Sequence, residues 1–345
     1  MNPLIWLTLT TSLTASTIIT MSSNHWLLAW LGLELNTLSI LPLMTLNHHP
    51  RATEAATKYF LVQATAATMI MLASTMNAWQ TGHWSLNHLT TLTTLLITTA
   101  IMLKLGAAPM HLWYPQVLQG VTMNTALLIS TWQKIAPLSL LYMMHNHLDR
   151  PTLLTLGLLS ATIGGWAGLN QTQTRTIMAF SSIAHMGWLI TAMTISPSLT
   201  TLTMALYMIT TIATFMPMAA TTTKTITDIG TTWPLSPPTL AATMMALMSL
   251  GGLPPLTGFM PKWLILKELS STNLTIIAMA ILLTSLPSLF FYIRLGYLTL
   301  LTTAPMTTNI EHKWRFKLSQ PTWAALSGSA TTLLLPTTMT LYTIM

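Results

Sequence analysis

Cysteine is absent from this 345-residue chain and charge nearly so, with 6% of residues Asp, Glu, Lys or Arg. The first absence excludes disulfides, iron–sulfur clusters and thiolate zinc sites within the chain. The second excludes a water-facing surface, because an ordinary soluble domain carries about a quarter charged residues. There is no phosphate-cradling P-loop, no metal-binding His-Glu-x-x-His and no dinucleotide fingerprint. Two core histidines, His185 inside an apolar segment and His111 beside a run of helix breakers, are too few for a multihaem core. The formal charge of +7 resembles a nucleic-acid signal. The sequence nevertheless has no basic cluster outside Lys313, Arg315 and Lys317, so nucleic acid is not an expected partner and orientation in a membrane explains the charge better.

What is there is apolar: 52% of residues are hydrophobic and the mean hydropathy is +0.59. Runs of about 17 to 25 apolar residues, enough to cross a bilayer as helices, recur from end to end. They leave no stretch for a soluble domain, so residues 1–345 are expected to form a single membrane domain surrounded by lipid. About eleven spans are expected, near 3–22, 25–46, 54–79, 88–120 (interrupted), 123–145, 151–169, 175–195, 199–222, 238–268 (interrupted), 274–302 and 322–343. The first has no basic residue before its apolar run and no presequence arginine, so it reads as a span rather than a leader. Threonine is abundant inside the spans, where its hydroxyl can bond back to the carbonyl four residues earlier.

The loop charges sort into two sets. Arg51, Lys58, Arg175, Lys224, Lys313, Arg315 and Lys317 fall on the N-terminal side with Glu54, Asp228 and Glu311. Asp149, Arg150, Lys267 and Glu268 fall on the other. The excess of Lys and Arg places the N-terminus in the cytoplasm or matrix and the C-terminus outside.

Two spans concentrate helix breakers where hydrophobicity indicates membrane. Lys104-Leu-Gly106-Ala-Ala-Pro109 continues to Pro115, and Gly251-Gly252-Leu-Pro254-Pro255 continues through Gly258 to Pro261. Each is expected to be a discontinuous helix. Both breaks fall in the fourth span of a five-span set, giving an all-α bundle of two inverted repeats, 1–147 and 148–303, followed by a loop and C-terminal helix at 304–345. Pro137, Pro217 and Pro287 stand alone and fit the general tolerance of membrane helices for proline.

Four ionisable residues are singled out within apolar segments: Glu34, Lys104, Lys134 and Lys262. Insertion scales charge about 2.5 to 3.5 kcal/mol for such a group at mid-membrane. Burial disfavours the charged form and an opposite neighbouring charge favours it, so proton affinity depends on the neighbours. A broken helix adds unpaired backbone groups at the same depth, which suits a water-lined proton path. The competing reading is a structural ion pair or a snorkelling lysine. His185, in Ser181-Ser182-Ile-Ala-His185-Met-Gly, suits a proton relay and a carbonyl-bonded structural role equally. His111, beside the first break, reads the same way.

The chain also resembles a known family, the NADH–ubiquinone oxidoreductase chain 2 family of mitochondrially encoded, antiporter-like membrane subunits of respiratory complex I. The likeness covers essentially the whole chain. It is densest in Arg51-Ala-Thr-Glu-Ala-Ala-Thr-Lys-Tyr-Phe60, Lys104-Leu-Gly-Ala-Ala-Pro-Met-His-Leu-Trp113, Thr131-Trp-Gln-Lys-Ile-Ala-Pro-Leu138, Gly168-Leu-Asn-Gln-Thr-Gln173, Ser181-Ser-Ile-Ala-His-Met-Gly-Trp188 and Leu250-Gly-Gly-Leu-Pro-Pro-Leu-Thr-Gly-Phe-Met-Pro-Lys-Trp263. The resemblance implies a helical subunit of the inner mitochondrial membrane, multi-pass, matrix-side at its N-terminus and intermembrane-space-side at its C-terminus. Its implied partners are other membrane-arm subunits, antiporter-like neighbours included, so it is not expected to act as a stand-alone monomer. It implies no cofactor in this chain, with NADH, flavin, iron–sulfur clusters and ubiquinone handled by other subunits. By motif, Glu34 looks like the glutamate that pairs with the lysine of the first broken helix, Lys104. Lys134 looks like the central-axis lysine and Lys262 like the basic residue of the second broken helix. Gln116, Thr176 and Phe180 stand where the family often has Glu, Lys and Tyr. Gln116 weakens any need for a carboxylate at that mouth.

The leading expectation is therefore a proton-translocating subunit with a Glu34–Lys104 switch, a Lys134 relay and Lys262 exchanging with one side. A passive structural subunit and a stand-alone cation/proton antiporter are the alternatives.

Overall fold

The computed structural model describes residues 3–46, 48–230, 232, 236–301, 322–338 and 340, and its regular elements are all helical. Among the described residues, six helices are long and apolar enough to cross a membrane: α1 (Pro3–Ser22), α2 (Trp26–Met44), α3 (Pro50–Thr81), α9 (Thr174–Ile195), α10 (Pro197–Ala220) and α14 (Thr275–Leu301). The other expected spans are assembled from shorter or more polar pieces. These are α4 (Thr91–Leu105) with α5 (Trp113–Gly120), α6 (Met123–Ser130) with α7 (Ile135–Met143), α8 (Arg150–Gly168), α12 (Pro237–Gly251) with α13 (Phe259–Ser271), and α15 (Thr322–Leu333). A short α11 (Ile226–Gly230) precedes α12. Glu311, Lys313, Arg315, Lys317 and the end of the last expected span lie outside the described residues.

Threonine is accommodated as the sequence suggests, with a change of register. Most hydroxyls bond the carbonyl three residues back, as Thr17 does to Thr14 at 2.8 Å and Thr214 to Thr211 at 2.9 Å. Thr210 reaches four residues back to Leu206 as well, at 2.9 Å. A hydroxyl satisfied on its own helix exposes little polarity to lipid, so these Thr-rich segments remain apolar from outside.

The chain divides into two compact units, Met1–Leu156 and Gly157–Met345. In the first, α1 packs along α2, and α3 packs on α2, α4 and α5. Gly32 allows the α1–α2 contact: a Cβ there would sit 2.5 Å from the Thr20 methyl and 3.1 Å from the Ser16 carbonyl. Small residues at such crossings let membrane helices approach through their backbones. α4 stops because Gly106 turns left-handed (φ 68°) and caps it. The chain resumes helix only at Trp113, with Pro115 in the first turn of α5, where its missing N–H costs little.

The span expected at 123–145 is not continuous. A 3₁₀ turn, Trp132–Lys134, separates α6 from α7. Pro137 explains it: proline offers no N–H to the Gln133 carbonyl four residues earlier, and its ring crowds that carbonyl. Lys134 thus sits at a second discontinuity of the first unit.

In the second unit α9 is enclosed, with every residue from Ile177 to Thr194 buried except Phe180 and His185. It crosses α8 at glycine: a Cβ on Gly187 would lie 2.6 Å from the Ala161 nitrogen and 2.7 Å from the Gly157 carbonyl. α10 packs on α9, α12, α13 and α15, and α14 packs on α12 and α13. Trp188, Leu202, Leu206, Leu264, Ile265 and Ile281 form part of a shared apolar core. α12 ends as α4 does, at a left-handed glycine, Gly252 (φ 82°). Helix resumes at Phe259, so Pro261, expected in the break, lies in the first turn of α13, again where proline is tolerated.

Outside the spans, the segment after α10 is tied to the start of α9. Thr174 N–H donates to the Lys224 carbonyl (3.1 Å) and Ile226 N–H to the Thr172 carbonyl (3.1 Å). Asp228 accepts from the amides of Thr225 (2.8 Å) and Lys224 (3.1 Å). The Thr225 amide above all holds its carboxyl below the ordinary carboxylate range.

Candidate functional site

In the first unit, the end of α4 is finished by side chains. Gln63 of α3 donates to the Lys104 carbonyl (3.4 Å), and Trp113 Nε1 at the start of α5 donates to the Leu103 carbonyl (3.1 Å). The last carbonyls of α4 have lost their partners one turn on because the helix stops there, and the Leu103 carbonyl also accepts from the capping Gly106 amide at 3.2 Å. Lys104, in the last turn, is 6% exposed. Its Nζ and Glu34 Oε2 of α2 are both shielded, and neither has a hydrogen-bond partner among the described residues. The Glu34 charge acts on Lys104 electrostatically. The two are not in contact as an ion pair, since the ion pair found among the described residues is the exposed Lys58–Glu54 (2.6 Å).

A chain of neutral polar groups stands beside them. Tyr59 O–H of α3 donates to Gln133 Oε1 (3.3 Å), and Gln133 Nε2 donates to Asn36 Oδ1 of α2 (3.1 Å). The next residue, Lys134, is 3% exposed and holds its Nζ 5.0 Å from the centre of the Tyr114 ring. The ring's negative face favours a cation there. Lys104, Lys134, Tyr59, Gln63, Asn36 and Gln133 together line a cavity of about 10 Å³.

The second unit brings His185 and Lys262 to one cavity, together with Trp188, Tyr207, Thr210 and Ser249. That cavity measures about 30 Å³. Lys262 Nζ donates to the Gly251 carbonyl (2.9 Å) at the carboxyl end of α12 and lies 5.8 Å from the Trp188 ring centre. A cation at a helix carboxyl end is favoured by the helix dipole. His185 tilts against Tyr207, with ring centres 5.6 Å apart. His111 stays in the first break, 8% exposed, with Nδ1 3.3 Å from the Pro109 carbonyl, and does not line the cavity of its unit.

One charge within a span escaped the sequence reading. Arg294 lies inside α14 and donates from Nη1 to the Leu169 carbonyl beyond α8 at 2.7 Å. An arginine seven positions before the end of an otherwise apolar helix was a sufficient signal. Asn36, Tyr59, Gln63, Gln133 and Tyr207 also went unassigned, and nothing in a threonine-rich sequence separates them from ordinary span residues.

Comparison with known proteins gives a consistent result. Residues 23–288 match the family model described as NADH:quinone oxidoreductase/Mrp antiporter, TM, and residues 289–342 match NADH dehydrogenase subunit 2 C-terminus. NADH-ubiquinone oxidoreductase chain 2 of Carassius auratus is 51% identical over 346 residues, covering 100% of this chain and 99% of its own. That of Xenopus laevis is 50% identical over 323 residues, covering 93% and 94%. Among solved structures, a chain of respiratory complex I from Thermus thermophilus superposes with a TM-score of 0.81 at 24% identity, covering 97% of this chain and 76% of that one. A chain of the Mrp complex from Dietzia sp. DQ12-45-1b does so at 0.81 and 15%, covering 97% and 75%. At these identities the two structures speak for the fold alone.

Proposed function

This chain belongs to the NADH–ubiquinone oxidoreductase chain 2 family, and from that membership we propose how its two units serve proton translocation in the membrane arm of complex I. Glu34 and Lys104 form a switchable pair, Lys134 is the next proton carrier of the first unit, and Lys262 with His185 forms the exchange site of the second. The observation that carries this is the burial of Glu34 Oε2 and Lys104 Nζ, without a hydrogen-bond partner among the described residues, within reach of each other's charge. Two such groups are costly as a brace, because Glu34 Oε2 and Lys104 Nζ have no hydrogen-bond partner among the described residues, yet well placed as a switch, because the charge of Glu34 acts on Lys104.

The chemistry follows from the donors present. A proton on Glu34 removes the negative charge that supports an ammonium at Lys104, so Lys104 releases its own proton toward the cavity it shares with Lys134. The Tyr59–Gln133–Asn36 chain fixes the polar wall of that cavity. Its amide members hold orientation rather than carry protons, so transfer passes by water. In the second unit the broken end of α12 offers Lys262 a carbonyl, and His185 stands on the same cavity to exchange a proton with it.

The order of elements in each unit, with a helix broken at a left-handed glycine in matching place, supports two inverted repeats within about eleven spans. The loop charges support a matrix-side N-terminus in the inner mitochondrial membrane. The chain works beside other membrane-arm subunits, while NADH oxidation and quinone reduction occur elsewhere in the complex. Replacing Glu34 by Gln in the assembled complex tests the reading: NADH oxidation persists while fewer protons are moved per NADH. A full proton count would leave Glu34 a structural residue.

A further inference from the structure

The two break glycines share a feature that helix termination alone does not require. Gly82, which caps α3, also turns left-handed (φ 74°), and a Cβ on it would meet nothing within 4 Å. At Gly252 the space is taken. A Cβ there would lie 2.9 Å from Lys262 Nζ, 3.1 Å from its Cδ and 3.2 Å from its Cε. The lysine therefore runs across the bare α-carbon and ends on the Gly251 carbonyl, 2.9 Å away.

We propose that Gly252 is a positioning residue for Lys262: its missing side chain is the seat that lets the ammonium reach the carboxyl end of α12. The inference rests on Lys262 being the proton-exchanging group of the second unit. Three observations meet at this point. The stem lies against Gly252, the amine bonds the preceding carbonyl, and the Trp188 ring faces the same amine at 5.8 Å. From the seat, Lys262 borders the cavity lined by His185 and Tyr207, so lifting the amine off the carbonyl is the motion that presents it to that space.

The first unit repeats the arrangement one step removed. A Cβ on Gly106 would lie 3.1 Å from Tyr114 Cβ and 3.2 Å from its ring. That ring carries Lys134 Nζ at 5.0 Å. One break glycine thus leaves room for a buried lysine itself, the other for the ring that faces one.

Because the atoms a new Cβ would meet at Gly252 belong to the flexible end of a lysine, filling the seat displaces the lysine rather than the backbone. Asparagine tolerates the left-handed region and carries a Cβ, so Gly252→Asn fills the seat with little change to the cap. The test compares Gly252→Asn, Lys262→Ala, their combination, and Gly82→Asn as an open cap, all in the assembled complex in liposomes. Gly252→Asn is expected to lower the protons moved per NADH to the level of Lys262→Ala, the double variant to be no worse than Lys262→Ala, and Gly82→Asn to change nothing. A structure of the Gly252→Asn complex is expected to show Nζ away from the Gly251 carbonyl. Unchanged pumping by Gly252→Asn beside a defective Lys262→Ala, a double variant worse than either single, or Nζ still on the carbonyl overturns the seat. If Gly252→Asn fails to assemble, adding Lys262→Ala restores assembly on this account, and continued failure overturns it. If Lys262→Ala itself pumps normally, the relay role falls and the structure of the variant alone decides the seat.

Discussion

Replacing Lys104 by methionine separates a relay from a brace, because the two roles predict opposite changes in stability. Methionine has nearly the length of lysine without the ammonium. Lys104 Nζ makes no hydrogen bond among the described residues, so the substitution removes none. It does remove a buried amine whose insertion costs about 2.5 to 3.5 kcal/mol. Against that gain stands the Coulombic attraction between Lys104 and Glu34, which acts across more than ion-pair distance and is correspondingly weak. Exchange of a whole buried ion pair for apolar groups is commonly neutral or stabilising by about 1 to 4 kcal/mol, whereas removing one partner of a contacting pair costs about 3 to 5 kcal/mol; Lys104 and Glu34 are not in ion-pair contact, so the second cost is not incurred in full. The net expectation is an unchanged or raised melting temperature, together with fewer protons moved per NADH. Intrinsic tryptophan fluorescence during heating of the purified complex reads the first, and acidification in liposomes the second. A melting temperature lowered by several degrees with pumping intact would refute the reasoning and make Lys104 a structural tie.

Two further predictions test the fold around the site. Gly187→Ala forces a Cβ into the backbone of α8 at 2.6 Å, which cannot yield as a side chain can, so a loss of about 1 to 3 kcal/mol or failure to assemble is expected; native gel electrophoresis reads it, and normal assembly would contradict the α8–α9 crossing. The Asp228 carboxyl is held below its ordinary range by the Thr225 amide, so its support is present above the unfolded carboxylate value of about 4 and is lost as pH falls through the lower folded value. Protection factors for amide hydrogen exchange at Thr174 and Ile226, taken relative to the intrinsic rate at each pH, should fall on acidification, and Asp228→Asn should remove that dependence; protection insensitive to both would contradict the tie.

How much was legible in sequence depended on the kind of signal each residue leaves. The breaks were readable because Gly106 and Gly252 occupy a backbone region other residues avoid and the following prolines cannot extend a helix. Pro261 was placed in the break, yet a proline fits the first turn of a helix as well as a gap, and only the structure distinguishes the two. The deep charges stood out against an apolar background, as Arg294 should have done. The discontinuity at Lys134 was hidden because a lone proline usually only bends a helix, and whether Pro137 yields a bend or a 3₁₀ turn depends on packing around Gln133. The Tyr59–Gln133–Asn36 chain joins α2 and α3 to a residue about a hundred positions from Asn36, and such pairing leaves no local pattern.

The central claim is that the buried charges change protonation during turnover rather than hold helices together. Infrared difference spectroscopy of the complex in liposomes, recorded between resting and NADH-driven states, reads this at Glu34 through its protonated carbonyl stretch. The account predicts a band in that region that shifts in heavy water and disappears in Glu34→Gln while electron transfer continues. A spectrum with the same carboxyl bands in the unmodified and Glu34→Gln complexes would contradict it.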